Sequence, residues 1–332
     1  MPRRLLVIGC ESADWSAIHP LTEAGTMPNL HRLIEGGASG VLTGLPPLQR
    51  DMLWTSVATG CRAGRHGVTG PTELRPDGGG IQPAGHRSWR APAFWEILAS
   101  AGIRTTVVNW PTTRPGRRWA ADVIDDSFAQ AHGKDFDDWP LPPDCAPQVL
   151  RATLRGLRIH PGDIAASEIA AFVPDLRAVD QATDPSLAQL AHILAESASV
   201  HAAATHLVAE SPWQVLAVHY RLIDHTQRAF LQFKSDPAAD PMAARPYGGV
   251  VDAAYRFQDM LIGRLLDLCG PDTDVLIVSP NGMSQSVEES TRPMPRAEGI
   301  LVAHGPSTAR DRIVHGATMF DIAPTILALF GV

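Results

Sequence analysis

Lysine is nearly missing from this 332-residue chain: of 28 basic residues only Lys134 and Lys234 are lysines. The formal net charge is −7, which argues against a nucleic-acid binder, since such a protein usually needs a basic face. The four cysteines, Cys10, Cys61, Cys145 and Cys269, are far apart and form no C-x-x-C pair. That spacing argues against a disulfide framework and reads as free, mostly buried thiols in a reducing compartment. No apolar run reaches the roughly 20 residues that a membrane-spanning helix needs. The opening MPRRLLVIGC has two arginines ahead of apolar residues, but its apolar run is only Leu5 to Ile8 and Glu11 follows. It reads as a first core strand rather than an export signal, and the expectation is a cytoplasmic protein without a membrane partner.

What is present is an alternation of apolar strands and amphipathic helices. Hydrophobic residues make up 45% of the chain, enough for a sizeable core, and Arg, Ala, Gly and Pro are used heavily, as in a GC-rich coding sequence. Strands are expected at 5–9, 40–45, 105–110, 214–220, 274–279 and 299–304. Helices are expected at 13–25, from Pro28 to Gly36, from 54, and at 92–101, 187–210, 250–269 and 319–330. Proline in the first turn and glycine past the last mark several of these ends. Residues 61–90, rich in Gly, Pro and Arg, read as a surface excursion. Between about 127 and 185, Pro140, Pro142, Pro143, Pro147 and Pro161 break the pattern, and the segment reads as a cap inserted into a single domain. The fold class that follows is α/β, with a mostly parallel central sheet and helices on both faces. Ligands of such sheets gather at the carboxyl ends of the strands. This singles out Cys10-Glu11, Tyr220 to Asp224, Ser279 to Asn281, and His304-Gly305.

Several segments, in order along the chain, resemble the alkaline phosphatase superfamily, closest to its type I phosphodiesterase / nucleotide pyrophosphatase branch. They are VIGCESADW (7–15), MPNLHRLIEGGASG (27–40), WTSVATGCRAGRHGV (54–68), VNWPTTRP (108–115), YRLID (220–224) and FDIAPTILALFGV (320–332). The resemblance implies an alkaline-phosphatase-like fold, two divalent metals held by Asp and His, and a Ser or Thr nucleophile. Position by position, this sequence departs from that set. The first aspartate is Glu11. The nucleophile falls on Arg50, or on Gln49 if the loop is one residue longer. Asp224 is kept, but the histidine four residues on is Arg228. The Asp-His pair that follows a strand is Pro280-Asn281, and the last histidine falls on Pro295.

The expectation is therefore a scaffold of this family without the two-metal site. No cofactor is expected, and a residual single divalent ion on Glu11 and Asp224, with help from Asp51 and His225, is the alternative. The catalytic candidates are Glu11, Asp224, His225 and Asn281, a carboxylate pair with a histidine and an amide suited to acid/base work. The substrate-binding candidates are Arg50, Asp51, Arg228, Asn109 and His304, with Arg292 and Arg296 more distant choices. Paired guanidinium groups suit phosphate, sulfate or carboxylate. Trp110, Thr112 and the cap residue Trp139 are neighbours of interest, whereas His66 and Asp321 read as structural. The reading is a lyase, isomerase, cyclase or group-transfer enzyme acting on a small polar or anionic metabolite. Its rivals are a metal-dependent phosphodiesterase or pyrophosphatase and a non-catalytic binder of an anion or a protein. Homodimerisation is left open.

Overall fold

A computed structural model describes residues 3–114, 121–130, 139–180, 183–234, 246–284 and 293–332. Arg292 and Pro115 lie outside these. The strands are β1 (Arg4–Cys10), β2 (Ala38–Thr43), β3 (Thr72–Leu74), β4 (Ile81–Pro83), β5 (Thr105–Trp110), β6 (Asp122–Asp125), β7 (Val215–Tyr220), β8 (Thr273–Val278), β9 (Gly282–Met283), β10 (Pro295–Arg296), β11 (Glu298–His304) and β12 (Arg312–Val314). The helices are α1 (Trp15–Glu23), α2 (Pro28–Gly36), α3 (Arg50–Thr59), α4 (Ala63–His66), α5 (Phe94–Ser100), α6 (Arg151–Leu157), α7 (Ala166–Ala170), α8 (Ser186–Glu210), α9 (Leu222–Phe230), α10 (Val250–Cys269) and α11 (Ile322–Leu329).

Eight strands form one sheet in the order β12-β2-β11-β8-β1-β7-β5-β6, and β3-β4 and β9-β10 make two small ribbons. In the large sheet β1 pairs in parallel with β7 and β8, and β5 with β7 and β6, while β11 runs antiparallel to both β8 and β2. The continuous apolar runs of β1, β7 and β8 follow from this position, since a strand covered on both faces has no polar side. Leu6 and Ile8 point into a core shared with α8, α9 and α10. Leu5 and Val7 point into the opposite core, against α3, α5 and α11. The described part of the 127–185 segment carries α6, α7 and short single turns. Its Leu154, Ile169, Phe172 and Val173 join the α8 side of the core.

Local signals set the helix starts. Asp14 caps α1 by accepting from the Ser16 N–H at 2.8 Å, and Pro28 opens α2. Asp321 accepts from the Thr318 N–H, closing the turn ahead of α11. His66 is structural: its Nδ1 accepts from the Val68 N–H, and its Nε2 lies 2.9 Å from Ser56 Oγ. Trp139 is buried, donates to the Gln130 carbonyl and lies under the Arg158 guanidinium. Among the described residues no helix is long and apolar enough to cross a membrane.

Residues 222–230 form a helix, so Asp224 and Arg228 stand one turn apart on α9. One expectation is corrected. His304 pairs with Val275 near the amino end of β8, because β11 runs antiparallel to it. It is therefore at the opposite end of the sheet from Glu11. The apolar pattern of a strand carries no direction, so the sequence could not reveal this.

Candidate functional site

The site is built where β1, β7 and β8 end side by side. Glu11 follows β1, Arg221 and Asp224 follow β7, and Asn281 follows β8. β2 ends beside them, and the chain turns from it through Gln49 into α3, whose first residue is Arg50. Gly44 permits this turn: a Cβ there would stand 2.2 Å from the Pro280 carbonyl oxygen.

Ser12 joins three of these elements. Its backbone has φ of 61°, a left-handed conformation that favours glycine and turns its hydroxyl inward. Ser12 Oγ donates to Asp224 Oδ1 at 2.7 Å and accepts from Asn281 Nδ2 at 3.0 Å. The second oxygen of Asp224 accepts from Arg228 Nε at 2.7 Å, an ion pair one turn along α9. Gln227 Nε2 donates to the Ser12 carbonyl, which fixes the same corner from α9.

Glu11 lies beside this network. It is 3% exposed, and its Oε2 has no hydrogen-bond partner among the described residues. His219 Nε2 lies 3.7 Å from it and Arg221 Nε 3.9 Å. Burial, with the Asp224 charge adding to it, pushes its pKa up to about 8 against the pull of Arg50, Arg221 and Arg228. His219, fully enclosed against the Trp54 ring, is held neutral by burial and by the arginines around it.

The other candidates divide. Arg50 Nε binds the buried Asp51 at 2.6 Å, and Glu11 and Asp51 together hold its guanidinium charged. Beyond them Asp126 accepts from the Thr112 and Arg114 N–H groups and faces Arg114 Nε at 3.3 Å. Arg296, on the ribbon strand β10, reaches Asp14 Oδ2 at 3.7 Å and Glu298. His225 turns away from Glu11 toward α8, where its Nδ1 lies 3.8 Å from Glu196. Burial first and Arg221 second push its pKa down to about 4. Asn109 is spent as a strut: it too has a left-handed backbone, and its Nδ2 donates to the His219 carbonyl.

Sequence reasoning missed Ser12, His219, Arg221 and Asp126. His219 had a legible signal, being the one polar side chain ahead of Tyr220 in the apolar run VLAVH. Ser12 had none, since a serine in a left-handed turn leaves no pattern.

The two-metal centre that the motifs imply can be tested against these donors. Asp224 spends both oxygens on Ser12 and Arg228. The Asn281 amide donates to Ser12, Pro280 offers no donor side chain, and Arg50 and Arg228 place positive charge at the same corner. Among the described residues no group of three or more His, Cys, Asp or Glu is placed to hold a metal ion. The described residues do not fit two divalent ions.

Comparison with solved structures finds the same architecture in distant proteins. Phosphonoacetate hydrolase from Sinorhizobium meliloti 1021, solved with phosphonoformate, is 16% identical with a TM-score of 0.50, over 85% of this chain and 57% of that one. The present chain thus spans little more than half of that hydrolase. Human ectonucleotide pyrophosphatase / phosphodiesterase 5 is 11% identical with a TM-score of 0.55, over 99% of this chain and 95% of that one. An inactive form of the murine protein, in complex with AMP, is 12% identical with a TM-score of 0.57, over 99% and 95% of the two chains. No curated protein matches by sequence. The family model for type I phosphodiesterase / nucleotide pyrophosphatase matches residues 5–307, nearly the whole chain, and the chain belongs to that family.

Proposed function

We propose that the chain is an enzyme that works by proton transfer on a small anionic metabolite, gripped by arginines in place of metal ions. The observation that carries this reading is the Glu11 carboxyl, buried, without a partner at Oε2 among the described residues, and with its pKa raised to about 8. Such a group holds its proton at neutral pH and can give it to a leaving group or a developing oxyanion. Asp224, fixed between Ser12 and Arg228, is the second carboxylate in a different environment. Arg50, Arg221 and Arg228 supply the positive charge that an anionic substrate would meet. The reaction class is one in which moving a proton suffices: a lyase, isomerase, cyclase or group transfer. The distant relatives solved with phosphonoformate and with AMP make a phosphonate or phosphate the preferred anionic group.

The test has two arms. Phosphate binding by the purified chain is measured by calorimetry, beside its zinc and manganese content by mass spectrometry. Candidate metabolites from the gene neighbourhood are then offered with and without EDTA. The expected result is phosphate binding that Arg50→Ala and Arg228→Ala weaken, and turnover that EDTA spares and Glu11→Gln abolishes. Stoichiometric metal together with EDTA-sensitive hydrolysis of bis(p-nitrophenyl) phosphate would overturn the proposal.

A further inference from the structure

A cleft of about 420 Å³ opens on the same rim of the sheet, three strands away from Glu11, where β6 ends and the β3-β4 ribbon folds over. Its walls include Pro83, Pro142 and Pro143, and two arginines, Arg87 and Arg114, line it. Asp125, the last residue of β6, lines it as well and is only 1% exposed. Its Oδ1 accepts from the Ser127 N–H at 2.9 Å and the Ser127 hydroxyl at 2.5 Å, whereas its Oδ2 has no partner among the described residues. A buried carboxyl oxygen without a partner is costly, and a ligand that satisfied it would be selected for doing so. Among the described residues that line the cleft none is aromatic, so none of them offers a nucleobase an aromatic ring to stack on.

We propose that this cleft binds the body of a hydroxylated aliphatic anion, such as a sugar acid or sugar phosphate, and discriminates against nucleotides. The proline walls pack the carbon skeleton. A hydroxyl donates to Asp125 Oδ2, the oxygen that Ser127 leaves free. Burial pushes the Asp125 pKa up to about 7, which makes the charged and the neutral carboxyl both relevant near neutral pH. Arg87 and Arg114 meet the anionic group; Arg114 is already braced by Asp126 at 3.3 Å and by Gln130 at 3.1 Å. Braced guanidinium groups lose little freedom on binding. The cleft is separate from the arginines around Glu11, so the proposal goes beyond the reading of an arginine-held substrate at Glu11 and does not rest on it.

Calorimetry with gluconate, glucose 6-phosphate and AMP tests it without needing turnover. Gluconate and glucose 6-phosphate are expected to bind at least about tenfold more tightly than AMP, roughly 1.4 kcal/mol. Arg87→Ala, at an exposed position, and the near-isosteric Asp125→Asn are each expected to weaken gluconate several-fold, with unchanged circular dichroism. Arg50→Ala is expected to leave gluconate binding intact. If AMP binds as tightly as the sugar anions, or if gluconate binding ignores both Arg87→Ala and Asp125→Asn, the proposal is overturned. Failure of the catalytic reading would show differently, as phosphate binding or turnover indifferent to Arg50 and Glu11 while the cleft variants still weaken gluconate.

Discussion

Glu11 Oε2 lies 3.7 Å from His219 Nε2, and neither atom has a hydrogen-bond partner among the described residues. Two enclosed polar groups thus face each other across a gap that a small shift of either side chain would close. The arrangement is stable while both are neutral. It becomes costly when Glu11 loses its proton, because the new charge has no hydrogen bond to receive it.

This sets a pH dependence whose sign is fixed. The Glu11 pKa is raised from 4.5 to about 8 in the folded chain. Its contribution to stability is therefore present in full below the unfolded value and is lost as pH rises through about 8. Glu11→Gln removes the titration and keeps the shape. The melting temperature of the variant is expected to fall less than that of the wild type between about pH 5 and about pH 9, and to exceed it at the upper end. Parallel thermal profiles across that range would show that Glu11 titrates like an exposed carboxyl.

Gly9 keeps the neighbourhood of His219 open. A Cβ at Gly9 would stand 2.8 Å from the Trp54 ring and 3.1 Å from His219 Cδ2. Both rings are buried and packed edge to face at 4.4 Å, so neither has room to retreat. Gly9→Ala is expected to cost about 1–3 kcal/mol, the usual range for an overpacked core. Urea unfolding measures the loss. The variant should also perturb the near-ultraviolet signal of the tryptophans, and an unchanged midpoint with an unchanged spectrum would contradict the packing.

Asp224 serves two partners, and two variants separate them. Asp224→Asn keeps an oxygen for the Ser12 hydroxyl but removes the charge that faces Arg228. Asp224→Ala removes both. Arg228 is half exposed, so water screens much of its loss. The alanine variant is expected to cost about 2 kcal/mol more than the asparagine one, because it strands the Ser12 hydroxyl in the interior. Chemical denaturation of both proteins checks the order. Equal losses would mean that the Ser12 bond contributes nothing.

Much of the fold was legible because its strands are buried on both sides. The runs at Leu5–Ile8, Val215–Val218 and Val275–Val278 leave no other reading, and the helices between them carry proline starts and glycine stops. Strand direction was not legible, and it misplaced His304. At the site, the residues that stand at strand ends were found: Glu11, Asp224 and Asn281 do come together, with Arg50 and Arg228 beside them. The residues that bind the corner from within were missed. Ser12 acts through backbone conformation and leaves no pattern in the chain, whereas His219 acts through packing across strands and shows only as a polar side chain in an apolar run.

Ser12 offers the sharpest separation of backbone from side chain. Its φ of 61° costs a non-glycine residue about 1–2 kcal/mol, and its hydroxyl offsets that cost through Asp224 and Asn281. Ser12→Gly relieves the backbone and loses the two bonds, so the effects oppose and the net change in stability is expected to stay within about 1 kcal/mol. Ser12→Ala keeps the unfavourable backbone and loses the bonds, with an expected loss of about 2–3 kcal/mol. Urea unfolding of the pair reads the difference directly. If alanine proves as well tolerated as glycine, the left-handed turn at Ser12 costs the fold nothing, and the hydroxyl is not what holds Asp224 and Asn281 in register.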